Sequence, residues 1–358
     1  MNGWKNGYYK PPFPYFGGKS AVAGLIWSAL GDVKNYVEPF FGSGATLFLR
    51  PQVGAIETIN DADGFICNVW RAIKTDPDAV VEHADNQVSE CDLHARHLWL
   101  IGQRERLTDK LCGDPDFCDP KAAGWWVWGQ CCWIGSGWCS GRGPWQSVNG
   151  VLTDARSKEN GVWRQLPHLG STGQGVNRKL PHLRNTGKGA CAERREWLRG
   201  YLRWFADRLR GVRVCCGDWS RVCGPSVTFR HGLTGVYLDP PYADTAKRTS
   251  GLYAVDCQRI AHDVREWALE NGNNPLMRIV LSGYDIEHES LDGWKSISWK
   301  SSGGYSLAGQ DDSKGGRRNR IRERLWLSPH CIVTKEMSFF CLESSDDKDV
   351  IVYDEVMI

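Results

Sequence analysis

Residues 234–242 read Thr-Gly-Val-Tyr-Leu-Asp-Pro-Pro-Tyr, and this stretch decides the fold class. The apolar run 234–238 predicts a short buried strand. The two prolines after Asp239 remove backbone donors and fix φ, so the chain has to turn out of the sheet there. The turn brings a carboxylate, proline carbonyls and an aromatic ring to the carboxyl edge of a strand, where open α/β sheets bind their ligands.

The residue types at this corner suit one kind of ligand group. Asp239 and the Pro240 carbonyl are acceptors, and together they match both hydrogens of a planar NH2 group. The ring of Tyr242 suits stacking on the ring that carries this amine. A proline-rich loop that merely follows a strand is the alternative interpretation, and the corner alone does not exclude it.

Two earlier segments predict further strand ends at the same edge. A short strand ends at Glu38, and the turn that starts at Gly42 and passes through Gly44 opens a helix. The third glycine of the dinucleotide fingerprint is missing, so pyrophosphate is not favoured, and an acidic group before the turn suits a ligand with an amine. The next strand, 55–59, precedes Asp61 and Asp63, which are candidates for binding a ribose and for capping a helix.

Composition places the chain among ordinary globular proteins. Of its 358 residues 24% are charged and 41% hydrophobic, and the length predicts two or three domains. The chain lacks a basic segment followed by an apolar one at its start and a run of eighteen apolar residues, so we expect a soluble protein without a secretion signal or membrane span.

The fourteen cysteines form no Cys-x-x-Cys pair. Reduced, mostly buried thiols are therefore the favoured interpretation. A zinc site built from the clusters Cys112/Cys118 and Cys131/Cys132/Cys139 is the alternative.

Four pieces of the chain resemble the Dam-type adenine-N6 DNA methyltransferases, which use S-adenosylmethionine. The pieces stand in the family's order and span about two thirds of the chain: Tyr15-Phe16-Gly17-Gly18-Lys19, Val37-Glu38-Pro39-Phe40-Phe41-Gly42-Ser43-Gly44, Asn60-Asp61 and Asp239-Pro240-Pro241-Tyr242. The resemblance implies a Rossmann-like α/β methyltransferase sheet. It also implies an inserted, loop-rich, basic target-recognition domain between the glycine turn and the last corner.

The resemblance also implies a role for each matching residue. Asp239, Pro240, Pro241 and Tyr242 would form the catalytic corner. Asp61 would bind the ribose of the cofactor and Asp218 its adenine amine, although a turn residue is the alternative for Asp218. The expected cofactor contacts are Tyr15, Phe16, Gly17, Gly18, Lys19, Glu38, Pro39, Phe40, Gly42, Gly44, Asp61, Asp218, Trp219 and Asp239. No metal is expected.

The segment between these pieces is basic and predicts a nucleic-acid partner. Residues 142–213 hold fifteen Lys and Arg against five Asp and Glu. The stretch 164–175 recurs fourteen residues later as 178–189, each copy with arginine and histidine among glycines. A solvated basic face is the alternative for the charges, and a tryptophan-rich core under long loops is the alternative for the aromatic residues. We expect both features together, with the tryptophans mainly in the core and the basic side chains facing DNA. The residues expected to face double-stranded DNA are Arg164, His168, Arg178, Lys179, His182, Arg184 and Lys188, with Arg317 and Arg318 on a later glycine-rich loop.

The expected organisation has four segments. Residues 1–75 and 211–330 would form the catalytic domain, 76–210 the inserted DNA-binding domain, and 331–358 an extension without an assigned role. The resemblance implies a cytoplasmic bacterial or bacteriophage enzyme. It does not give the recognition sequence, a restriction partner or the oligomeric state. Cytosine-N4 and RNA methylation, a small-molecule methyltransferase and a non-catalytic nucleic-acid-binding module are the alternatives.

Overall fold

The computed structural model describes ten segments of the chain. They are residues 11–15, 18–53, 55–133, 138–139, 145–148, 151–154, 192–241, 259–284, 291–299 and 323–334. Several predicted site residues lie outside these segments, and their contacts are not described: Phe16, Gly17, Tyr242, Arg164, His168, Arg178, Lys179, His182, Arg184, Lys188, Arg317 and Arg318.

Within the described segments, seven strands form one sheet and two form a separate hairpin. In chain order the strands are β1 Asn35–Glu38, β2 Ile56–Asp61, β3 Trp145–Val148, β4 Val151–Asp154, β5 Val212–Cys216, β6 Thr234–Leu238, β7 Met277–Tyr284, β8 Lys295–Ser298 and β9 Glu323–Leu327. The strands predicted to end at Glu38 and to span 55–59 and 234–238 are confirmed to within a few residues.

The described segments contain eight α-helices. They are α1 Ala23–Leu30, α2 Ala45–Phe48, α3 Gly64–Thr75, α4 Pro77–Ala84, α5 Glu90–Gly113, α6 Pro120–Cys132, α7 Ala192–Leu209 and α8 Ile260–Asn271. Asp63, Asp76, Ser89 and Asp119 each accept a backbone N–H with the side chain, and Pro77 and Pro120 occupy the first turns of α4 and α6. Among the described residues, no helix has the length and apolar composition that crossing a membrane requires.

The strand order of the large sheet places a crevice between β1 and β6. The order is β5-β2-β1-β6-β7-β9-β8, and all neighbours up to β7 are parallel, whereas β9 runs antiparallel to both β7 and β8. From β1 the chain moves outward to β2 and β5, and then returns to β6 on the other side of β1. The order therefore reverses at β1, and such a switch point is where doubly wound sheets bind ligands.

Helices α3, α4, α6 and α7 pack together on one side of the sheet and share its main core. Every residue of β1 and of β6 is buried, as expected for central parallel strands. Trp126, Trp128 and Trp138 are buried in the part of the segment 124–190 that the structure describes, which confirms the core interpretation for these tryptophans. His97, expected as a surface or packing residue, is buried against Trp133.

The first part of the glycine- and tryptophan-rich stretch that begins at Gly124 belongs to α6. A Cβ at Gly124 would lie 2.5 Å from the His83 Cβ and 2.6 Å from the Val80 carbonyl oxygen of α4. The glycine therefore serves close helix packing, so its presence does not indicate a loop.

The cysteines described by the structure are free thiols, and seven of these eleven are buried. This confirms the expectation for that part of the chain. Among the same residues, no group of three or more His, Cys, Asp or Glu side chains has an arrangement that could hold a metal ion.

Candidate active site

The turn after β1 depends on two glycines with left-handed backbone. Gly42 has φ of 50° and Gly44 has φ of 74°, a region that L side chains rarely adopt. A Cβ at Gly42 would lie 2.8 Å from ring carbons of Tyr15, so the N-terminal segment packs directly on the turn. Trp70 of α3 donates from Nε1 to the Gly42 carbonyl at 3.0 Å. The turn is thus held from both sides.

Asp61, at the end of β2, binds the same turn. Its Oδ2 accepts the Gly42 N–H at 2.9 Å and its Oδ1 accepts the Asp63 N–H at 2.9 Å. Asp63 accepts the Phe65 N–H and caps α3, which confirms the capping role predicted for this pair of acids. Burial raises the pKa of Asp61 to about 7, and the two N–H groups oppose that rise.

Asn60 fixes the relative positions of three strand ends. Its Nδ2 donates to the Pro39 carbonyl at 3.1 Å and to the Gly217 carbonyl at 3.0 Å. These carbonyls follow β1 and β5, so one amide joins the edges of β5, β2 and β1. The sequence indicated Asn60 only as part of a motif. Its contacts with the ends of β1 and β5 could not be predicted without the order of the strands in the sheet.

Glu38 ends β1 as a buried carboxyl group, 2% exposed. Its Oε2 accepts from the Tyr36 hydroxyl at 2.9 Å. Burial raises the pKa of Glu38 well above its usual value, the Tyr36 hydrogen bond opposes the rise, and the charges of Asp239 and Asp61 add to it.

Asp239 directly follows β6 and pairs with Lys19. The distance from Lys19 Nζ to Asp239 Oδ1 is 3.0 Å, and that from Lys19 Nζ to Glu323 Oε2 is 4.0 Å. Burial raises the pKa of Asp239, and the charge and hydrogen bond of Lys19 oppose the rise. The sequence assigned Lys19 to the cofactor. A lysine beside two glycines carries no signal for a partner 220 residues further on.

These side chains line one cavity at the carboxyl edge of β1 and β6. It contains about 750 Å³ of space, part of it open to solvent. The predicted site residues that line it are Tyr15, Gly18, Lys19, Glu38, Phe40, Gly42, Asp61, Asp239 and Pro241. Lining residues that the sequence analysis did not select include Thr46, Tyr237 and Ile260.

The remaining described candidates, Pro39, Gly44, Asp218, Trp219 and Pro240, do not line this cavity. Asp218 caps the short 3₁₀ turn 219–222, where Ser220 N and Ser220 Oγ both donate to its Oδ1. That is the turn role named as its alternative, and neither contact uses Oδ2. Trp219 stacks on Phe40 with ring centroids 6.2 Å apart, so it supports a residue of the lining.

The charges around the cavity favour a cationic ligand. Four carboxyl groups line it, those of Glu38, Asp61, Asp63 and Asp239. Lys19 pairs with Asp239, and Arg104 Nη1 lies 3.7 Å from Asp63 Oδ1. The hydrogen bonds described for Glu38 and Asp61 come from a hydroxyl and backbone N–H groups. A positive charge on a ligand would therefore be attracted to these two carboxylates.

The seven-stranded, mostly parallel sheet with its site at the carboxyl edge defines the Rossmann-like methyltransferase fold. Residues 15–98 match the model of the D12 class N6 adenine-specific DNA methyltransferases, and a search of curated proteins finds no match. This match supports the adenine-N6 DNA methyltransferase family and indicates an adenine-specific DNA methyltransferase. The matched range covers Lys19, Glu38 and Asp61 and ends before Asp239.

The match to this family supports DNA as the substrate class and S-adenosylmethionine use in general.

Proposed function

We propose that this chain transfers the methyl group of S-adenosylmethionine to the N6 amine of an adenine that has left the DNA duplex. The family match supports adenine methylation of DNA in general. The observation that carries the finer proposal is the meeting of Glu38, Asp61 and Asp239 around one cavity beside the glycine turn.

The residues of the β1 side fit the proposed cofactor. S-adenosylmethionine, when bound, supplies a methyl group on a positively charged sulfur, and it also carries an ammonium group. Glu38 and Asp61 offer buried carboxyl groups to such charges, while Gly42 allows the backbone to approach the ligand. Phe40, supported by Trp219, supplies an aromatic wall.

The residues of the β6 side fit the proposed target. The amine of a base is unreachable inside the duplex, so the base has to leave the stack. Asp239 would accept one amine hydrogen and the Pro240 carbonyl the other, with Tyr242 stacked on the ring. This arrangement aims the nitrogen lone pair at the methyl group, and most of the rate acceleration would come from positioning. The Asp239 carboxylate would also accept the proton that the amine loses.

The basic segment would supply the grip on DNA. We propose that residues 76–210 form the target-recognition part and that the arginines, lysines and histidines of its two copies contact phosphates or bases. Steep weakening of DNA binding with added salt would support phosphate contacts. Weak salt dependence would contradict them.

The proposal is tested by identifying the modified base. The purified protein is incubated with unmethylated DNA, or in parallel with RNA, and S-adenosylmethionine, and the digested nucleosides are identified by mass spectrometry. N6-methyladenine in DNA is expected. Mapping its positions then separates recognition of one short motif from relaxed specificity. Methylcytosine, methylated RNA alone, or no modified base would contradict the proposal.

A further inference from the structure

Lys19 is an unusually placed cation. Its side chain is 4% exposed, and it lies between the carboxyl groups of Asp239 and Glu323 with the Trp299 ring centroid 5.9 Å from Nζ. These partners come from the ends of β6, β9 and β8, so one lysine from the segment before α1 joins three strands. A buried ammonium group is costly unless it is paired, and the shorter of its two ion pairs is with Asp239.

We propose that Lys19 is a positioning residue for methyl transfer: it holds Oδ1 of Asp239 and thereby presents Oδ2 to the target amine. This inference rests on the proposed function and deepens it. The carboxyl group has two oxygens, and a 3.0 Å contact from Nζ to Oδ1 fixes the plane of the group. An oriented carboxylate accepts the amine hydrogen in one geometry, which a freely rotating one does not.

Lys19 would also keep this carboxyl group ionised. Within the described segments, the ionisable groups around Asp239 are Lys19, Glu38 on β1 and Tyr237 on β6 itself, with Glu323 beyond Lys19. Glu38 disfavours a negative charge on Asp239, and so does burial. Lys19 is the cation that opposes them. A protonated Asp239 would offer an O–H donor to an amine hydrogen, so the contact that aims the amine would be lost.

Replacing Lys19 by methionine separates this role from cofactor binding. In Lys19→Met the acid limb of the pH profile of kcat should move to higher pH by about 1–3 units, because a neighbouring opposite charge lowers an aspartate pKa by about that amount. The affinity for S-adenosylmethionine should stay near the wild-type value. Lys19→Arg keeps the positive charge, so the acid limb should stay in place. The value of kcat should fall, because the planar guanidinium group cannot make the same contact with Asp239 Oδ1 as the lysine Nζ.

Lys34→Met is the matched control. Lys34 is exposed and lies just before β1, at the opposite end of the strands from Asp239, so its removal should leave the profile unchanged. The pKa of Asp239 can also be followed by carbon-13 NMR of the carboxyl group in protein without substrate, which needs no activity. An upward shift in Lys19→Met is expected there too.

The outcomes distinguish the inference from the proposed function. Weaker cofactor binding in Lys19→Met with an unmoved acid limb would overturn the inference and leave Lys19 as a cofactor contact. An acid limb that shifts in Lys19→Arg would also overturn the inference about Lys19. This second test remains available if Lys19→Met does not fold. A wild-type protein that forms no methyladenine overturns the proposed function instead, while the NMR titration still decides whether Lys19 controls Asp239.

Discussion

Two neighbouring strands of the sheet, β1 and β6, have an acidic residue followed by proline at their carboxyl edge, and the two acids meet different surroundings. Glu38 is 2% exposed and accepts from the Tyr36 hydroxyl, a neutral donor. The side chain of Asp239 is 20% exposed and pairs with Lys19, a cation. The strands are adjacent in register, with Val37 beside Val236, so these differences arise within one cavity.

The acid-proline sequence places a carboxyl group at the carboxyl edge of its strand. The neighbouring side chains then decide which ligand group that carboxyl group can bind. A carboxyl group whose hydrogen-bond donor is neutral is stabilised in its ionised form when a cation binds beside it. Such a group suits the sulfonium or ammonium group of the cofactor. A carboxylate already paired with a lysine is better suited to a neutral donor such as an adenine amine. We therefore assign cofactor charge to the Glu38 side and the target amine to the Asp239 side.

The largest effect is expected at the β6 corner. Asp239→Ala removes the acceptor of the amine, and the rate of methyl transfer should fall by at least about 100-fold because the amine is no longer aimed. DNA binding, measured by fluorescence anisotropy, should stay close to wild type. An active Asp239→Ala protein would remove Asp239 from the catalytic assignment.

Gly44→Ala tests the left-handed turn after β1 independently of Asp239. Gly44→Ala forces an L residue into φ of 74° and places a Cβ 2.4 Å from the Phe41 ring. The backbone effect alone should lower the free energy of unfolding by about 1–2 kcal/mol. Urea denaturation measures the change.

Gly102→Ala is the matched control for that substitution. Gly102 lies inside α5, and a Cβ there would meet nothing within 4 Å. This variant should be stabilised by about 0.4–1 kcal/mol, because alanine lowers the entropy of the unfolded chain. Equal effects at the two glycines would contradict the left-handed turn.

A smaller effect is expected from pH on cofactor binding. The pKa of Asp61 is raised to about 7 in the cofactor-free protein, and a bound cation favours the ionised carboxyl group, so binding should lower that pKa and release a proton. Affinity should therefore rise with pH, by about tenfold between pH 6 and pH 8. Calorimetry in buffers of different ionisation enthalpy measures both quantities. Affinity that falls with pH would show that this carboxyl group does not meet the positive charge.

Much of the fold was predictable because the local sequence pattern of these elements matches the burial that their places in the sheet require. The buried strand before Asp239, the strand before Glu38 and the helix after Asp63 each carry a clear apolar pattern and a clear end signal. The motifs also fixed which strand ends would meet, since parallel strands share one carboxyl edge. Of the nine predicted residues that line the cavity, Glu38, Phe40, Gly42, Asp61, Asp239 and Pro241 follow from this rule, and the other three were implied by the resemblance alone.

The rest depended on contacts between distant parts of the chain. The pairing of Lys19 with Asp239 requires the N-terminal segment to cross the sheet edge, which no local pattern records. The close packing of Gly124 against α4 also depends on a neighbouring element, whereas the capping contact of Asp218 is local and matches the alternative role named for it. Predictions for Tyr242 and for the basic repeat stay predictions, because these residues lie outside the described segments.

The most direct test of the division between the two corners is the affinity for S-adenosylmethionine of Glu38→Gln and Asp239→Asn, measured by calorimetry beside their rates of methyl transfer. Both substitutions remove one charge and little volume. The account predicts that Glu38→Gln weakens cofactor binding by about 30-fold, since losing one partner of a buried charge pair costs about 2 kcal/mol or more. Asp239→Asn should keep a cofactor affinity closer to the wild-type value than Glu38→Gln does, and it should lose methyl transfer. The reverse pattern, with cofactor binding lost in Asp239→Asn and kept in Glu38→Gln, would contradict the account.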